Sequence, residues 1–403
     1  MSNSLSQNGS PGLPANRQFQ PWLAVLSVAL SAAVFCSTEF LPVGLLRYIS
    51  EGLGVSEGQA GLMVSVPGLL AALAAPLLTV LVGRHDRRHI LCALGLLLAA
   101  SNLIAMVAPN FGILLLGRVL FGIGLGGFWA IDAGLGARLV SEQSVGRATA
   151  LIFAGVSIGM LIGGAAGALI GDMFGWRAAF GGAFGLSLLA LLAQLAFLPP
   201  LRVEHQVRPR DLLGIVATPA GRVGLLAMTL ALCGQFATYT YITPFLAQRA
   251  GFNGTAISSI LLGYTLIGLV GNFLGGAGAG RNVKLTLSAA ILFFMVPVML
   301  LPLLGAAQVC ALALMAIWGL AYGAMPIALQ MWMMKAVSDT KEGGMALFVG
   351  DFQTSIALGS FGGGLVVDHF GLDSTMYFGA ALGGLALLIL WRKSHPSASI
   401  TRS

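Results

Sequence analysis

Four ionisable side chains fall inside long apolar runs of this 403-residue chain: Glu39, Arg118, Asp132 and Asp351. Such groups cost about 2.5–3.5 kcal/mol each to place in a bilayer, so each needs a partner or a wet cavity. A carboxylate whose neighbours change can gain and lose a proton, which is the chemistry of proton coupling. Glu39, Asp132 and Asp351 are therefore the proton-coupling candidates. On a helical wheel Arg118, Gly122, Trp129 and Asp132 share one face, within roughly 40° of Arg118. Arg118 and Asp132 stand roughly 21 Å apart along that helix, so they cannot pair with each other. Arg118 across a cavity from Glu39 is the expected charge partner. That pair reads equally as a static brace between two helices, and Asp132 and Asp351 read equally as helix-end carboxylates in water.

The neutral candidates for a binding site are Phe128, Trp129, Gln235, Tyr239, Trp318, Tyr322, Gln330 and Gln353. Gln235 and Tyr239 are four apart and so share a face, and Trp318 and Tyr322 repeat that spacing. Aromatic faces with amide edges suit a flat, polar, uncharged heterocycle. In this reading Trp129 stacks on the ring while Gln235 and Tyr239 bond its edges. Packing between helices is the competing reading for any one aromatic, and Tyr241 reads as an anchor at the membrane interface. The five histidines lie near loops or termini, and there is no HExxH pair or Walker loop. No metal and no cofactor is implied.

The elements that must position these groups are legible from composition. The chain is 57% hydrophobic and only 9% charged, against about 25% charged in soluble domains, and its mean hydropathy is +0.90. This excludes a water-soluble enzyme, a nucleic-acid-binding module and a disordered chain. Cys36, Cys92, Cys233 and Cys310 are far apart, without a disulfide or zinc pattern. Twelve apolar runs approach the roughly 20 residues that a spanning helix needs. They cover 22–46, 57–82, 90–108, 111–136, 145–170, 176–198, 222–247, 255–279, 285–304, 307–333, 344–367 and 374–391. The predicted fold is an all-α membrane protein with twelve transmembrane helices in two pseudo-symmetric six-helix halves. Spans 3, 6, 9 and 12 are the plainest and should face lipid; spans 1, 4, 7, 10 and 11 should line the interior.

A disordered tail (1–21), an N-terminal half (22–198), a linker (199–221), a C-terminal half (222–392) and a second tail (393–403) complete the organisation. No cleavable signal peptide is evident. Of the 21 basic residues, 17 fall on the side of the termini and even-numbered loops and 3 on the other. Both termini are therefore expected in the cytoplasm, and the net charge of +7 reflects topology rather than an acidic partner. A weak repeat runs at an offset of 196: Asp172-Met173-Phe174-Gly175 matches Asp368-His369-Phe370-Gly371. Gly163, Gly167 and Gly127 match Gly359, Gly363 and Gly323 at the same offset. Parallel halves about an axis normal to the membrane are one transporter layout.

Stretches 38–46 (TEFLPVGLL), 117–130 (GRVLFGIGLGGFWA), 155–167 (GVSIGMLIGGAAG) and 175–180 (GWRAAF) resemble the major facilitator superfamily, in its twelve-helix drug/proton antiporter branch. Residues 138–140 and 234–244 (GQFATYTYITP) make the chain most similar within it to bacterial purine ribonucleoside efflux pumps. The resemblance implies alternating access by rocking of the halves, with protons exchanged for a small-molecule substrate. It implies a multi-pass monomer in a bacterial inner membrane, exporting purine ribonucleosides or bases. Multidrug or sugar efflux is the alternative, and a non-transporting receptor or scaffold the rival from another class. Gly83, Asp86, Arg87 and Arg88 match the family's gating loop, one residue short before the Asp and lacking its second Gly. Asp86 would cap a helix or bind an Arg of the opposite half. Gly164 stands where the antiporter motif carries Pro, so no kink is imposed there; Gly155, Gly159, Gly163 and Gly167 permit close helix packing.

Overall fold

The computed structural model describes residues 15–81, 85–132, 135–201, 219–336 and 341–392. Within them the chain is helical and has no strand. Apolar runs without alternation can satisfy their backbone in a bilayer only as helices. In the N-terminal half these are α1 (Ala15–Leu53), α2 (Glu57–Leu81), α3 (Arg87–Val107), α4 (Phe111–Asp132), the short α5 (Gly136–Leu139), α6 (Val145–Phe174) and α7 (Trp176–Phe197). The C-terminal half holds α8 (Pro219–Tyr239), α9 (Ile242–Arg249), α10 (Gly254–Leu304), α11 (Gln308–Ala336), α12 (Lys341–Phe370) and α13 (Leu372–Arg392).

Among the described residues, nine helices are long and apolar enough to cross a membrane, and α8 with α9 forms one further span bent by 45°. Helix α10 has 51 residues, about 76 Å at 1.5 Å per residue, which is two crossings. Its limbs meet at Asn282, whose backbone leaves the helical region (φ −147°, ψ 95°) and whose side chain accepts from Leu285 N–H at 3.1 Å. The loop expected between spans 8 and 9 is thus a one-residue break. With the 30-residue α12 the crossings number twelve. Large apolar side chains such as Phe273, Leu303, Val309 and Leu388 stay exposed around the bundle, which suits lipid rather than water.

Helix α1 begins at Ala15, inside the stretch expected to be a disordered tail. Residues 1–14, most of the linker and the second tail lie outside the described residues. Spans 3 and 6 (α3, α7) are apolar outside but carry inward polar contacts with α1. Asn102 donates to Thr38 Oγ1 (3.3 Å) and Ser187 Oγ (3.0 Å), and Gln194 donates to Ser31 Oγ (2.8 Å).

Pseudo-symmetry is plainest where α6 meets α1 and where α12 meets α8. Gly155, Gly159, Gly163 and Gly167 lie on the backbone of α1 at Ala29, Ala33, Ser37 and Leu41; a Cβ on Gly163 or Gly167 would stand 2.8 or 2.7 Å from a carbonyl oxygen. Gly359 and Gly363 lie likewise on Cys233 and Ala237 of α8, each residue 196 positions on. The seams differ at their other end. Where α6 has Gly155 and Gly159, α12 has Asp351 and Ser355, and Asp351 Oδ1 accepts from Thr229 of α8 at 2.6 Å. Gly175 and Gly371 close the repeated Asp-x-Phe-Gly turns at φ +82° and +84°, where a side chain would be strained.

Candidate functional site

The halves meet through α2 against α12 and α6 against α10. Hydrogen bonds joining them run from mid-bundle to the end remote from the chain termini, here the far end. Gln353 Nε2 donates to Glu39 Oε1 (3.2 Å), Thr243 Oγ1 to the Val43 carbonyl (2.8 Å) and Ser258 Oγ to the Ala165 carbonyl (2.6 Å). Nearer the far end, Gln248 donates to Glu57 (2.7 Å), Ser56 Oγ and Gly58 N–H to Asp368 (2.7 and 2.9 Å), and Thr255 to Asp172 (3.4 Å).

Span 7 is shaped to reach this region. Pro244 has no N–H to offer the Thr240 carbonyl, and the helix breaks after Tyr239 to restart at Ile242. Tyr241, at the break, is fully buried with its hydroxyl donating to the Ser360 carbonyl at 2.8 Å. It stands against Gly61 of α2 and Gly364 of α12. The expected interfacial anchor is therefore a buried post between the halves.

Beside the Glu39–Gln353 contact stands an aromatic cluster built from three helices. Tyr239 of α8 stacks on Tyr264 of α10 (5.3 Å between ring centroids) and on Tyr322 of α11 (5.6 Å), and Tyr264 meets Tyr322 at 5.2 Å. Trp318 lies edge-on to Tyr264 at 5.5 Å. Gln235 ties the cluster together: its Oε1 accepts from Trp318 Nε1 (2.8 Å) and its Nε2 donates to the Tyr264 hydroxyl (3.0 Å). Both ends of this amide are thus engaged by protein, and Gln235 itself is 2% exposed. Phe40 of α1 faces the ring of Tyr239 from the other half at 6.4 Å. Gln353 Oε1 is buried without a hydrogen-bond partner among the described residues.

Sequence reasoning missed Tyr264 and Phe40. The signal for Tyr264 was a phenol in the middle of a spanning run, where its hydroxyl needs a partner.

Arg118 is buried (1% exposed) on α4. Its Nε donates to the Met63 carbonyl (2.8 Å), its Nη1 to the Thr38 carbonyl (3.1 Å), and its guanidinium lies 4.3 Å over the Phe121 ring. Among the described residues the salt bridges are Arg47–Glu51 and Arg249–Asp373, not Glu39–Arg118. In this conformation the expected pair is replaced by a brace on the carbonyl just before Glu39. Buried carbonyls on two neighbouring helices offer the guanidinium shorter, fixed acceptors.

Phe128 stacks on Phe35 at 4.5 Å within the N-terminal core, and Trp129 meets Phe128 edge-on at 6.0 Å. Both belong to that core's apolar packing rather than to the tyrosine cluster, although Trp129 Nε1 is buried there without a hydrogen-bond partner among the described residues. Asp132 ends α4, and its side chain lies outside the described residues, as does Gly83. Gln330 is half-buried on α11, closer to the end that carries the termini.

In the gating loop Asp86 caps α3, its Oδ1 accepting from Arg88 N–H (2.9 Å) and Leu201 N–H (2.8 Å). The Leu201 N–H, seconded by that of Arg88, holds the carboxyl below its ordinary value. Arg88 donates to the Leu195 carbonyl at 2.9 Å. The loop is thus fastened to the end of α7 in its own half, and no bond from Asp86 to an opposite Arg is present among the described residues. No group of three or more His, Cys, Asp or Glu that could hold a metal occurs among the described residues.

Known proteins agree with this architecture. The family profile of the Major Facilitator Superfamily matches residues 26–350, and the chain belongs to that superfamily. It is a multi-pass membrane transporter by membership, not an enzyme. A purine ribonucleoside efflux pump NepI of Salmonella paratyphi A (strain ATCC 9150 / SARB42) is 35% identical over 91% of this chain and 92% of its own. The NepI pump of Escherichia coli (strain K12 / MC4100 / BW2952) is 33% identical over 92% and 94%. Among solved structures, a bacterial homologue of the human lysosomal transporter Spinster, inward-facing and unoccupied, superimposes with a TM-score of 0.76 at 15% identity, covering 95% of this chain and 97% of that one. The nucleoside transporter NupG gives 0.74 at 15% identity over 91% and 98%.

Proposed function

We propose that this protein is a proton-coupled antiporter exporting purine ribonucleosides or bases from the cytoplasm across a bacterial inner membrane, as a monomer with both termini cytoplasmic. The observation that carries the reading is the Glu39–Gln353 contact between the halves, beside a preformed cluster of three tyrosines and a tryptophan. A carboxylate bonded across the two halves loses that partner when they part, so its proton affinity changes with conformation, and coupling requires that change. Stacked phenols beside an amide oxygen without a partner among the described residues suit an uncharged heterocycle with polar edges. The names of the relatives supply the substrate class, and the 17-to-3 split of basic residues supplies the orientation.

The test is inosine transport in proteoliposomes under an imposed pH gradient, with Glu39→Gln, Asp132→Asn and Asp351→Asn beside the parent. Gradient-driven inosine movement should require at least one of these carboxylates, Glu39 first. Unchanged pH dependence in all three variants would reject the coupling. Resistance to a lipophilic cation without any inosine or purine-analogue phenotype in cells would reject the substrate and favour drug efflux.

A further inference from the structure

The repeated Asp-x-Phe-Gly turns lie at the far end, apart from the tyrosine cluster and the Glu39–Gln353 contact, and their carboxylates bridge the halves. Asp368, at the end of α12, accepts from Ser56 Oγ and Gly58 N–H at the first turn of α2. Asp172, at the end of α6, accepts from Thr255 Oγ1 at the first turn of α10 and from Tyr48 of its own half (3.1 Å). Gly58 and Gly254 are also 196 apart, and a side chain on either would collide with the facing carboxylate. Each half thus places an acid on the amino end of a helix of the other half, where unpaired N–H groups and the helix dipole favour negative charge.

We propose that Asp172 and Asp368 form a two-point latch that holds the far end shut, and that they are gating residues of the transport cycle. The arrangement follows from geometry in three ways. Both contacts cross between the halves; both need glycine for the acid to approach; and both turns reverse through a glycine at positive φ. The Asp368 point is the tighter, with two inter-half bonds under 3 Å against one at 3.4 Å for Asp172. Both carboxylates are exposed, so water tempers their strength and allows release during each cycle.

The test is a distance measurement on the full chain in nanodiscs, which needs no substrate and so is independent of the proposed function. Spin labels replace Pro109 and Ala306, exposed far-end turn residues in the two halves, in a background with the four native cysteines changed to serine. Asp368→Asn should move about threefold to tenfold more molecules into the longer far-end distance, Asp172→Asn fewer, and the double variant most. Ser56→Ala and Thr255→Ala remove the side-chain partners while sparing the acids (the Gly58 N–H still reaches Asp368), and serve if the acid variants fold poorly. Distance distributions unchanged in the double variant and in both partner variants would overturn the proposal. So would a lowered melting temperature with no redistribution, which is what a merely structural role predicts.

Discussion

Replacing Gln235 by leucine probes the part of the site most misread from sequence. On spacing alone Gln235 faces a wet cavity, and its loss would weaken substrate binding while leaving folding intact. In the structure its amide is consumed by Trp318 and Tyr264, two side chains no more than 1% exposed. Leucine keeps the volume but leaves an indole N–H and a phenol unpaired. Orphaning a buried polar group costs about 1–3 kcal/mol in water-soluble proteins. Interhelical hydrogen bonds in membranes average only about 0.6 kcal/mol, with a maximum near 1.7, because the unfolded chain in the bilayer finds other partners. For two bonds the membrane figure governs, giving about 1–3 kcal/mol. The assay is thermal unfolding of the purified protein followed by tryptophan emission, with inosine binding measured alongside. A lower midpoint, a shifted emission from Trp318 and weaker binding should appear together. A variant as stable as the parent that loses only inosine affinity would refute the reasoning and restore Gln235 as a direct contact.

Three further outcomes follow from the packing and the caps. Gly359→Val should cost about 1–3 kcal/mol by forcing a side chain to within 2.8 Å of the Cys233 Cα, whereas Gly362→Ala, in ordinary contact with Phe378, should be tolerated; chemical or thermal denaturation reads both. Asp86→Ala should cost about 1 kcal/mol as a lost helix cap. Because the folded-state pKa of Asp86 is lowered, that gap should be full at neutral pH and close as pH falls below about 3.9 and through the lowered value, in denaturation series across pH. Arg118→Lys should fail to restore an Arg118→Ala variant in thermal stability, since an ammonium on a linear stem does not reproduce a planar fork serving the carbonyls of Met63 and Thr38.

Much of the architecture was legible because the bilayer narrows the choices. Apolar length marked the spans, and four-residue glycine spacing marked the α1–α6 seam. The repeated turn marked the internal symmetry. What stayed hidden depends on partners distant in sequence. A wheel puts Gln235 and Tyr239 on one side of a helix but does not say that Trp318 and Tyr264 already occupy the amide. Arg118 invites pairing with Glu39 by charge, yet carbonyls of α1 and α2 are nearer at hand, and carbonyls leave no trace in residue type. Tyr264 reads as one phenol within span 8 until Gln235 of the neighbouring helix supplies a donor to its hydroxyl. The break in span 7 was in reach, since Pro244 and the threonines before it argue against an unbroken helix.

The unequal seams bear on how the two halves have been free to diverge since they shared one plan. Along α6 four successive glycines meet backbone, so any drift there meets carbonyl oxygen and is excluded by shape. Along α12 the lower pair, Gly359 and Gly363, suffices to keep α8 close. The other two positions carry the acid of Asp351 and the hydroxyl of Ser355, with Thr229 opposite where the α1 seam has Ala33. The same plan therefore closes its two seams by different means: one by shape alone, the other by two glycines together with an acid bonded to a facing hydroxyl.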